Sequence, residues 1–186
     1  MKQIFLFLLL IVISLTSCTK NDVADAFDCN SSIHFSETKE MNDVLKKFKI
    51  DVPVSWNTKL YYDEYKSKLY SADTTKNLSE TYIMEITWNQ GELEINEDLA
   101  QKVVESIEDK EDLNTLKSGF GKFKKFPAYY ILSNGQSMNF DYFYLQVYVK
   151  TNPDEYFTFT TKIYGNEFVD ERICASIALF HEIKFL

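Results

Sequence analysis

The sequence predicts an α+β fold, a mostly antiparallel β-sheet flanked by two or three helices. Residues 137–164 alternate between apolar and other side chains in two arms around a turn, which is typical of paired strands. Residues 97–108 and the segment after Asn166 instead carry apolar side chains at helical spacing. The 15 phenylalanines and 12 tyrosines are an aromatic excess that favours strands, and 186 residues suit one domain.

The hairpin predicted at residues 137–164 has two different faces. One face carries apolar side chains such as Leu145 and Val147, and residues 152–154 supply the turn. The opposite face is rich in tyrosine, which combines apolar area with a hydroxyl and is enriched at protein interfaces. Either the helices cover this face or it is free to bind. The predicted binding face consists of Tyr142, Tyr144, Tyr148, Tyr156 and Tyr164.

Spacing and turn signals predict the remaining elements. We expect a short helix at residues 36–48, because four apolar residues recur there at helical spacing. Asn96 and Asn166 are expected to cap the two longer helices, and Asn134-Gly135 is a strong hairpin-turn signal. The predicted strands are residues 48–52, 61–72 (one strand or a hairpin), 80–89, 113–126, 127–133 and 182–186.

The first 18 residues predict an export leader and a lipid anchor. The apolar run at residues 4–13 has the length of a signal-peptide core and is too short to span a bilayer. Residues 14–18, Ser-Leu-Thr-Ser-Cys, resemble the lipobox of bacterial lipoproteins, which implies cleavage before Cys18 and its acylation with fatty acids such as palmitate. An ordinary secretory signal with a chance cysteine is the alternative. The predicted organisation is a signal peptide at 1–17, acylated Cys18 with a flexible tether at 18–32, and one globular domain at 33–186.

Several acyl chains on one residue would anchor the protein stably, so we expect attachment to the bacterial outer membrane. Residues 20–22, Lys-Asn-Asp, faintly resemble surface-export signals of Bacteroidetes lipoproteins, although a solvated linker is the favoured interpretation. The periplasmic and the surface-facing sides are both open. Removing Lys2 with the leader takes the net charge from −8 to −9, with 19 basic and 28 acidic residues, which argues against nucleic-acid binding.

Three stretches resemble the PsbP family of extrinsic photosystem II proteins. They are residues 48–56 (FKIDVPVSW), 120–131 (FGKFKKFPAYYI) and 174–185 (CASIALFHEIKF). With the long hairpin they imply a PsbP-like α/β/α sandwich over roughly residues 48–185. The chain departs from the family pattern in having Lys125 or Phe126 where a glycine often precedes the Ala-Tyr-Tyr strand. A Ran-binding nuclear-import factor, bacterial lipoproteins and secretion chaperones share this fold, so the fold alone does not assign a function.

If Cys18 is acylated, Cys29 and Cys174 remain, an even number in an oxidising compartment. A disulfide between them would join the tether to the last helix. The loop that it closes is long, and the chain-entropy treatment gives about 4–5 kcal/mol for it. The alternative is one buried and one exposed thiol.

Catalytic, cofactor and metal motifs are missing from the sequence. His34 and His181 are the only histidines, and neither has a nucleophile or a second metal ligand at suitable spacing. We therefore expect a non-enzymatic, lipid-anchored binding or accessory module without cofactor or metal, and an envelope protein as its partner. The alternatives are an envelope hydrolase with His34 or His181 beside carboxylates in a pocket, and an immunity or chaperone-like module with an exposed Tyr/Phe groove.

Overall fold

The computed structural model describes residues 22–29, 35 and 37–186. The predicted signal peptide, Cys18, His34 and residues 18–21 and 30–32 of the predicted tether lie outside the described residues. The rest of that tether, residues 22–29, is described and includes Val23, which is buried. The helices are α1 (Val23–Ala26), α2 (Glu97–Glu111) and α3 (Val169–His181), with a 3₁₀ turn at Leu78–Glu80. The strands are β1 (Thr38–Asn42), β2 (Phe48–Pro53), β3 (Asn57–Tyr62), β4 (Lys66–Ala72), β5 (Tyr82–Gln90), β6 (Asn114–Phe123), β7 (Phe126–Ser137), β8 (Phe140–Asn152), β9 (Glu155–Tyr164) and β10 (Lys184–Phe185).

Two antiparallel sheets make up the strand layers. The large sheet has seven strands in the order β3-β4-β5-β9-β8-β7-β6, and the small sheet has the order β1-β2-β10. On one face of the large sheet the core joins it to the small sheet and α3, through residues such as Phe48, Phe159 and Phe180. On the other face Val103 and Ile107 of α2 pack on the sheet. The predicted α+β fold with a mostly antiparallel sheet is confirmed.

The predicted hairpin forms the centre of the large sheet. β8 and β9 pair antiparallel around the turn at Pro153-Asp154. Leu145, Val147 and Val149 are buried in the core beside α3, while the tyrosines of the same strand point to the α2 side. Strict alternation of side chains in a strand produces this division, because successive residues face opposite sides.

The predicted helix at residues 36–48 is wrong. The segment begins with β1, which pairs with β2 so that Met41 lies opposite Ile50. Asp43, which is buried, then closes a tight turn, since its carboxylate accepts hydrogen bonds from the backbone N–H groups of Leu45 and Phe48 at 2.9 and 2.7 Å. An aspartate that binds nearby backbone groups competes with helix formation, and here it connects β1 to β2 instead.

Two turn and cap predictions are also wrong. Asn134-Gly135 lies inside β7, and the hairpin turn to β8 is Met138-Asn139, where both residues have positive φ. Gly135 serves close packing, because a Cβ there would lie 2.6 Å from Leu113 Cδ2.

Asn166 does not cap α3. The helix begins three residues later, after Phe168 in the left-handed region (φ 52°). The side chain of Arg172 binds the backbone carbonyls of this loop and fixes its course.

Candidate functional site

The predicted tyrosine binding face is divided by α2. Three of its tyrosines are each only 8% exposed and share a core cluster with Val103 and Ile107 of the helix. Tyr148 is partly buried at the margin of this cluster, and Tyr156 is half-buried, which raises the pKa of its hydroxyl. The sequence left open whether a helix covers this face or the face is free. The structure shows that α2 covers Tyr142, Tyr144 and Tyr164.

The same sheet face is open at the opposite edge, on the β3–β4 hairpin. Tyr61, Tyr62 and Tyr65 at the end of this hairpin are 52%, 63% and 55% exposed. Tyr61 pairs across the strands with Lys68, whose row continues through β5 and β9 to Tyr148, so it shares the face of the covered tyrosines. Tyr62, the next residue, pairs with Ser67 and lies on the opposite side of the hairpin. We call the following residues the tyrosine hairpin surface: Lys59, Tyr61, Tyr62, Tyr65, Lys68 and Tyr70.

A shallow depression of about 410 Å³ lies on this surface, lined by Lys59, Tyr61, Lys68 and Tyr70. The rings of Tyr61 and Tyr70 meet edge to face at 5.6 Å between centroids. Lys68 Nζ lies 3.1 Å from Glu85 Oε1 and 5.9 Å from the centre of the Tyr70 ring. These contacts hold the side chains of the depression in place.

Charges around Lys68 keep its ammonium and the Tyr70 hydroxyl protonated. Burial alone would lower the pKa of Lys68, but the hydrogen bond and charge of Glu85 outweigh it, so the pKa is raised. Burial and then the charge of Glu85 raise the pKa of Tyr70. At neutral pH the depression therefore offers two lysine cations and two tyrosine hydroxyls that donate or accept hydrogen bonds.

A second candidate site, the Trp56 pocket, lies on the α3 side between the small sheet, the start of β5 and α3. Its volume is about 620 Å³, within the usual range of small-ligand sites. Trp56 forms its aromatic wall with Phe35 and Tyr82, at centroid distances of 6.1 and 5.1 Å. The lining residues are Phe35, Glu37, Pro53, Val54, Ser55, Trp56, Asp73, Lys76, Glu80, Thr81, Tyr82, Glu171, Arg172 and Ala175.

Tyr82 is the unusual polar group of this pocket. Its side chain is 7% exposed, and its hydroxyl has no hydrogen-bond partner among the described residues. Burial, reinforced by the negative charge of Asp73, raises the pKa of the hydroxyl, which therefore stays neutral. Buried hydroxyls normally have a partner, and leaving one without costs about 1–3 kcal/mol.

Arg172, beside Tyr82, differs from it because all three of its guanidinium nitrogens have hydrogen-bond partners. Its side chain is 6% exposed and donates only to backbone carbonyls, which engage all three guanidinium nitrogens. Burial lowers its pKa, while Glu167 and Glu171 raise it. The side chain ties the 3₁₀ turn to the loop before α3 and has no donor nitrogen left unengaged. The accepting carbonyls belong to Ser79, Thr81, Tyr164, Gly165, Glu167 and Phe168.

The pocket is lined by more acidic than basic side chains. The four carboxylates of Glu37, Asp73, Glu80 and Glu171 face the two cations Lys76 and Arg172. Lys76 Nζ lies 4.0 Å from Asp73 Oδ2, and the other three carboxylates form no salt bridge with a described residue.

The structure joins Cys29 and Cys174 in a disulfide with an S–S distance of 2.06 Å. The bond connects the segment after α1 to the middle of α3 across a sequence separation of 145 residues. Phe27, in the same segment, packs edge to face on Tyr130 of β7 at 5.4 Å.

The structure places His181 beside α1, away from the Trp56 pocket. Its Nε2 lies 3.3 Å from Asp22 Oδ1, and its ring lies 4.5 Å from that of Phe123. Burial lowers the pKa of His181, with Asp22 opposing the change. In the part of the chain that the structure describes, no three His, Cys, Asp or Glu side chains gather as metal ligands. Within these ranges, too, no helix has the length and apolar character needed to cross a bilayer.

Three residues of the Trp56 pocket were missed by sequence reasoning. Trp56 and Tyr82 read as ordinary core aromatics, since nothing local marks an end of a strand as a pocket wall. Arg172 did carry a signal, because it falls on the inward stripe of α3 between Val169 and Ile173. A charged residue on an apolar stripe indicates a buried polar contact.

No protein-family model matches the chain, and no curated protein matches it either. Solved structures do match. Cyanobacterial PsbP from Synechocystis is similar, with a TM-score of 0.58 and 8% identity over 84% of this chain and 96% of that chain. The Ran-binding protein Mog1p of Saccharomyces cerevisiae has a TM-score of 0.53 and 8% identity over 80% of this chain and 95% of its own. A protein from Bacteroides thetaiotaomicron has a TM-score of 0.50 and 12% identity over 80% of this chain and 48% of its own. At these identities the likeness shows the fold, and the expected PsbP-like fold is confirmed.

Proposed function

We propose that the protein is a non-enzymatic accessory module of the bacterial envelope, anchored by lipid at Cys18, that binds another protein through the tyrosine hairpin surface. The observation that carries this proposal is the exposure of Tyr61, Tyr62 and Tyr65, more than half of each, on one edge hairpin. Tyrosine is enriched at the centres of protein interfaces, where its ring packs and its hydroxyl stays hydrogen-bonded.

The backbone of β3 supports a protein partner. β3 is the edge strand of the large sheet and pairs only with β4 among the described strands. An edge strand offers free N–H and C=O groups to which an extended segment of a partner adds. The tyrosines would then supply pockets for alternate side chains of that segment. Mog1p, which has this fold, is a Ran-binding protein, so the fold supports protein binding elsewhere.

The non-enzymatic part of the proposal is supported by the surroundings of His181. The hydrolase alternative requires His34 or His181 beside carboxylates in a pocket. The Trp56 pocket is lined by carboxylates without His181, and His34 lies outside the described residues. Among the described residues, the carboxylate at salt-bridge distance from His181 belongs to Asp22, and the ring beside His181 belongs to Phe123. An immunity or chaperone-like role would use the same tyrosine hairpin surface, and the identity of the captured partner distinguishes these roles.

Site-specific photocrosslinking tests the partner surface. A photoreactive residue replaces Tyr62 in the full chain, expressed in the source bacterium, and the matched control replaces Phe120, which is 44% exposed on the opposite edge strand β6. We expect one discrete envelope protein to crosslink at position 62 and not at 120. The product should disappear when Tyr61→Ser and Tyr65→Ser are added. Equal products at both positions, or products unaffected by the two substitutions, would reject the surface.

Metabolic labelling tests the anchor. With an alkyne-bearing palmitate analogue, the wild-type chain should incorporate label and sediment with membranes. Cys18→Ser should lose both properties. Label retained in this variant would show that the lipid is attached to another residue.

A further inference from the structure

The Trp56 pocket is separate from the tyrosine hairpin surface, and its chemistry points to a ligand. Its walls combine aromatic and apolar side chains with six charged ones, four of them carboxylates. An apolar group entering the pocket would lie along Pro53, Val54 and Trp56. Burial of that apolar group contributes to affinity but does not depend on orientation. The polar groups of the pocket therefore determine which ligand binds.

The Tyr82 hydroxyl indicates that the ligand brings a polar atom. It is buried and has no partner among the described residues, in a part of the fold where the neighbouring Arg172 is fully engaged. A neutral phenol both donates and accepts, so it can receive a hydrogen bond from an ammonium or guanidinium group. Such a charge-assisted bond is stronger than a neutral one.

The charges decide between a cation and an anion. Glu37, Glu80 and Glu171 form no salt bridge with a described residue, and the pocket counts four carboxylates against two cations. Arg172 has no donor nitrogen left unengaged for an anion, because carbonyls already engage its guanidinium. Lys76 is close to Asp73, so its charge is partly balanced. The pocket therefore attracts positive charge.

We propose that the Trp56 pocket binds an organic cation, an ammonium or guanidinium group carried on an apolar stem. The stem packs against Trp56 and Val54, the Tyr82 hydroxyl accepts a hydrogen bond from the cation, and the rim carboxylates balance its charge. A free amine and the basic side chain of a peptide share this chemistry, and the test includes both.

The test follows the two tryptophan indole N–H signals by NMR in the purified full chain, kept in detergent. Trp88 lies outside the pocket, and its Nε1 donates to Glu155 at 2.8 Å, so its signal is an internal control. The probes are cadaverine, Nα-acetyl-lysine methylamide, the neutral Nα-acetyl-norleucine methylamide and the anionic Nα-acetyl-glutamate methylamide. We expect a saturable shift of the Trp56 signal with the two cations, and binding at least about tenfold weaker for the neutral and anionic probes. The tighter cation indicates which source the pocket suits.

Three variants connect the binding to named groups. Glu171→Gln should weaken cation binding roughly three- to fivefold, because a charge at an exposed rim is screened by water. Glu108→Gln on α2, exposed and far along the chain from the pocket lining, should leave it unchanged. Tyr82→Phe should weaken binding about tenfold while the melting temperature of the free protein holds or rises, since the lost hydroxyl had no partner.

The proposal is overturned if the neutral or anionic probe binds as tightly as the cations, or if no probe shifts the Trp56 signal. A lower melting temperature for Tyr82→Phe would also overturn it, because the hydroxyl would then serve the fold. None of these results bears on the tyrosine hairpin surface, which photocrosslinking tests separately.

Discussion

The two faces of the large sheet are held in different ways. On the α3 face, the small sheet packs on the large one, a disulfide joins the segment after α1 to α3, and Arg172 of α3 donates to the carbonyl of Tyr164 in β9. On the α2 face one helix rests on a cluster rich in tyrosine, and the β3–β4 hairpin extends beyond it. The α3 face is therefore covered by several linked elements, whereas the α2 face leaves the β3–β4 hairpin exposed.

Tyrosine shows this difference within one face. Tyr144 lies under α2 and is 8% exposed, whereas Tyr61 on the same side of the sheet is 52% exposed. The two residues have the same chemistry, so their different exposure follows from where α2 covers the sheet. The position of the covering helix therefore decides where a binding surface can exist.

The largest expected effect concerns the disulfide on the α3 face. Replacing both Cys29 and Cys174 by serine should lower the free energy of unfolding by up to about 4–5 kcal/mol, because the unfolded chain gains the entropy of a long open loop. Denaturant unfolding under non-reducing conditions measures the change. Adding reductant to the wild type should reproduce it, and reductant should leave the double variant unchanged. Equal unfolding midpoints for variant and wild type would mean that this face is held without the bond.

A pair of tyrosine substitutions tests the division of the α2 face. Tyr144→Ala should destabilise the protein by about 3–4 kcal/mol, because it removes a buried ring and leaves a cavity beneath α2. Tyr61→Ala should change stability by no more than about 0.5 kcal/mol, as exposed substitutions do. Denaturant unfolding of both variants gives the comparison directly. Similar losses for the two would show that the hairpin tyrosine serves the fold rather than a partner.

Much of this architecture was predictable because its signals are local. The alternation in residues 137–164 and the cap at Asn96, whose side chain accepts from Leu99 N–H at 3.0 Å, both act within a few residues. Sheet faces follow from such patterns without knowledge of the rest of the chain. The core face of β8 was therefore predictable from sequence.

The errors arose where distant contacts override local signals. Gly135 allows close packing against Leu113 and does not form a turn. The turn, with its positive φ values, is formed by Met138 and Asn139. The start of α3 is set by Arg172 and its carbonyl partners rather than by Asn166. The Trp56 pocket needs four separate segments to meet, so a single sequence gives no local sign of it.

The smallest expected effect is a pH dependence of the free energy of unfolding, which arises at His181 on the α3 face. Burial lowers the pKa of His181 below its ordinary value of 6.5, and the charge of Lys124 acts in the same direction, while Asp22 and Glu182 oppose it. The unfolded chain therefore takes up the proton more readily than the folded protein does. Stability should be complete above about pH 6.5 and decrease as the pH falls towards the pKa of folded His181, by about 1.4 kcal/mol for each pKa unit.

The measurement is the free energy of unfolding between pH 7 and pH 5 for wild type, His181→Gln and His34→Gln. His181→Gln should flatten the slope, because the titrating imidazole beside Asp22 and Phe123 is gone. His34→Gln is the comparison variant, and a slope lost in this variant instead would assign the pH dependence to the other histidine. Two carboxylates titrate below their ordinary pKa of 4.5, outside this window. The hydrogen bond to Lys49 lowers the pKa of Glu40. Burial opposes the change at Glu155, but the hydrogen bonds from Trp88 and Asn152 lower its pKa. A slope that survives in His181→Gln would locate the pH sensitivity away from the α1–α3 contact and remove this difference between the two faces.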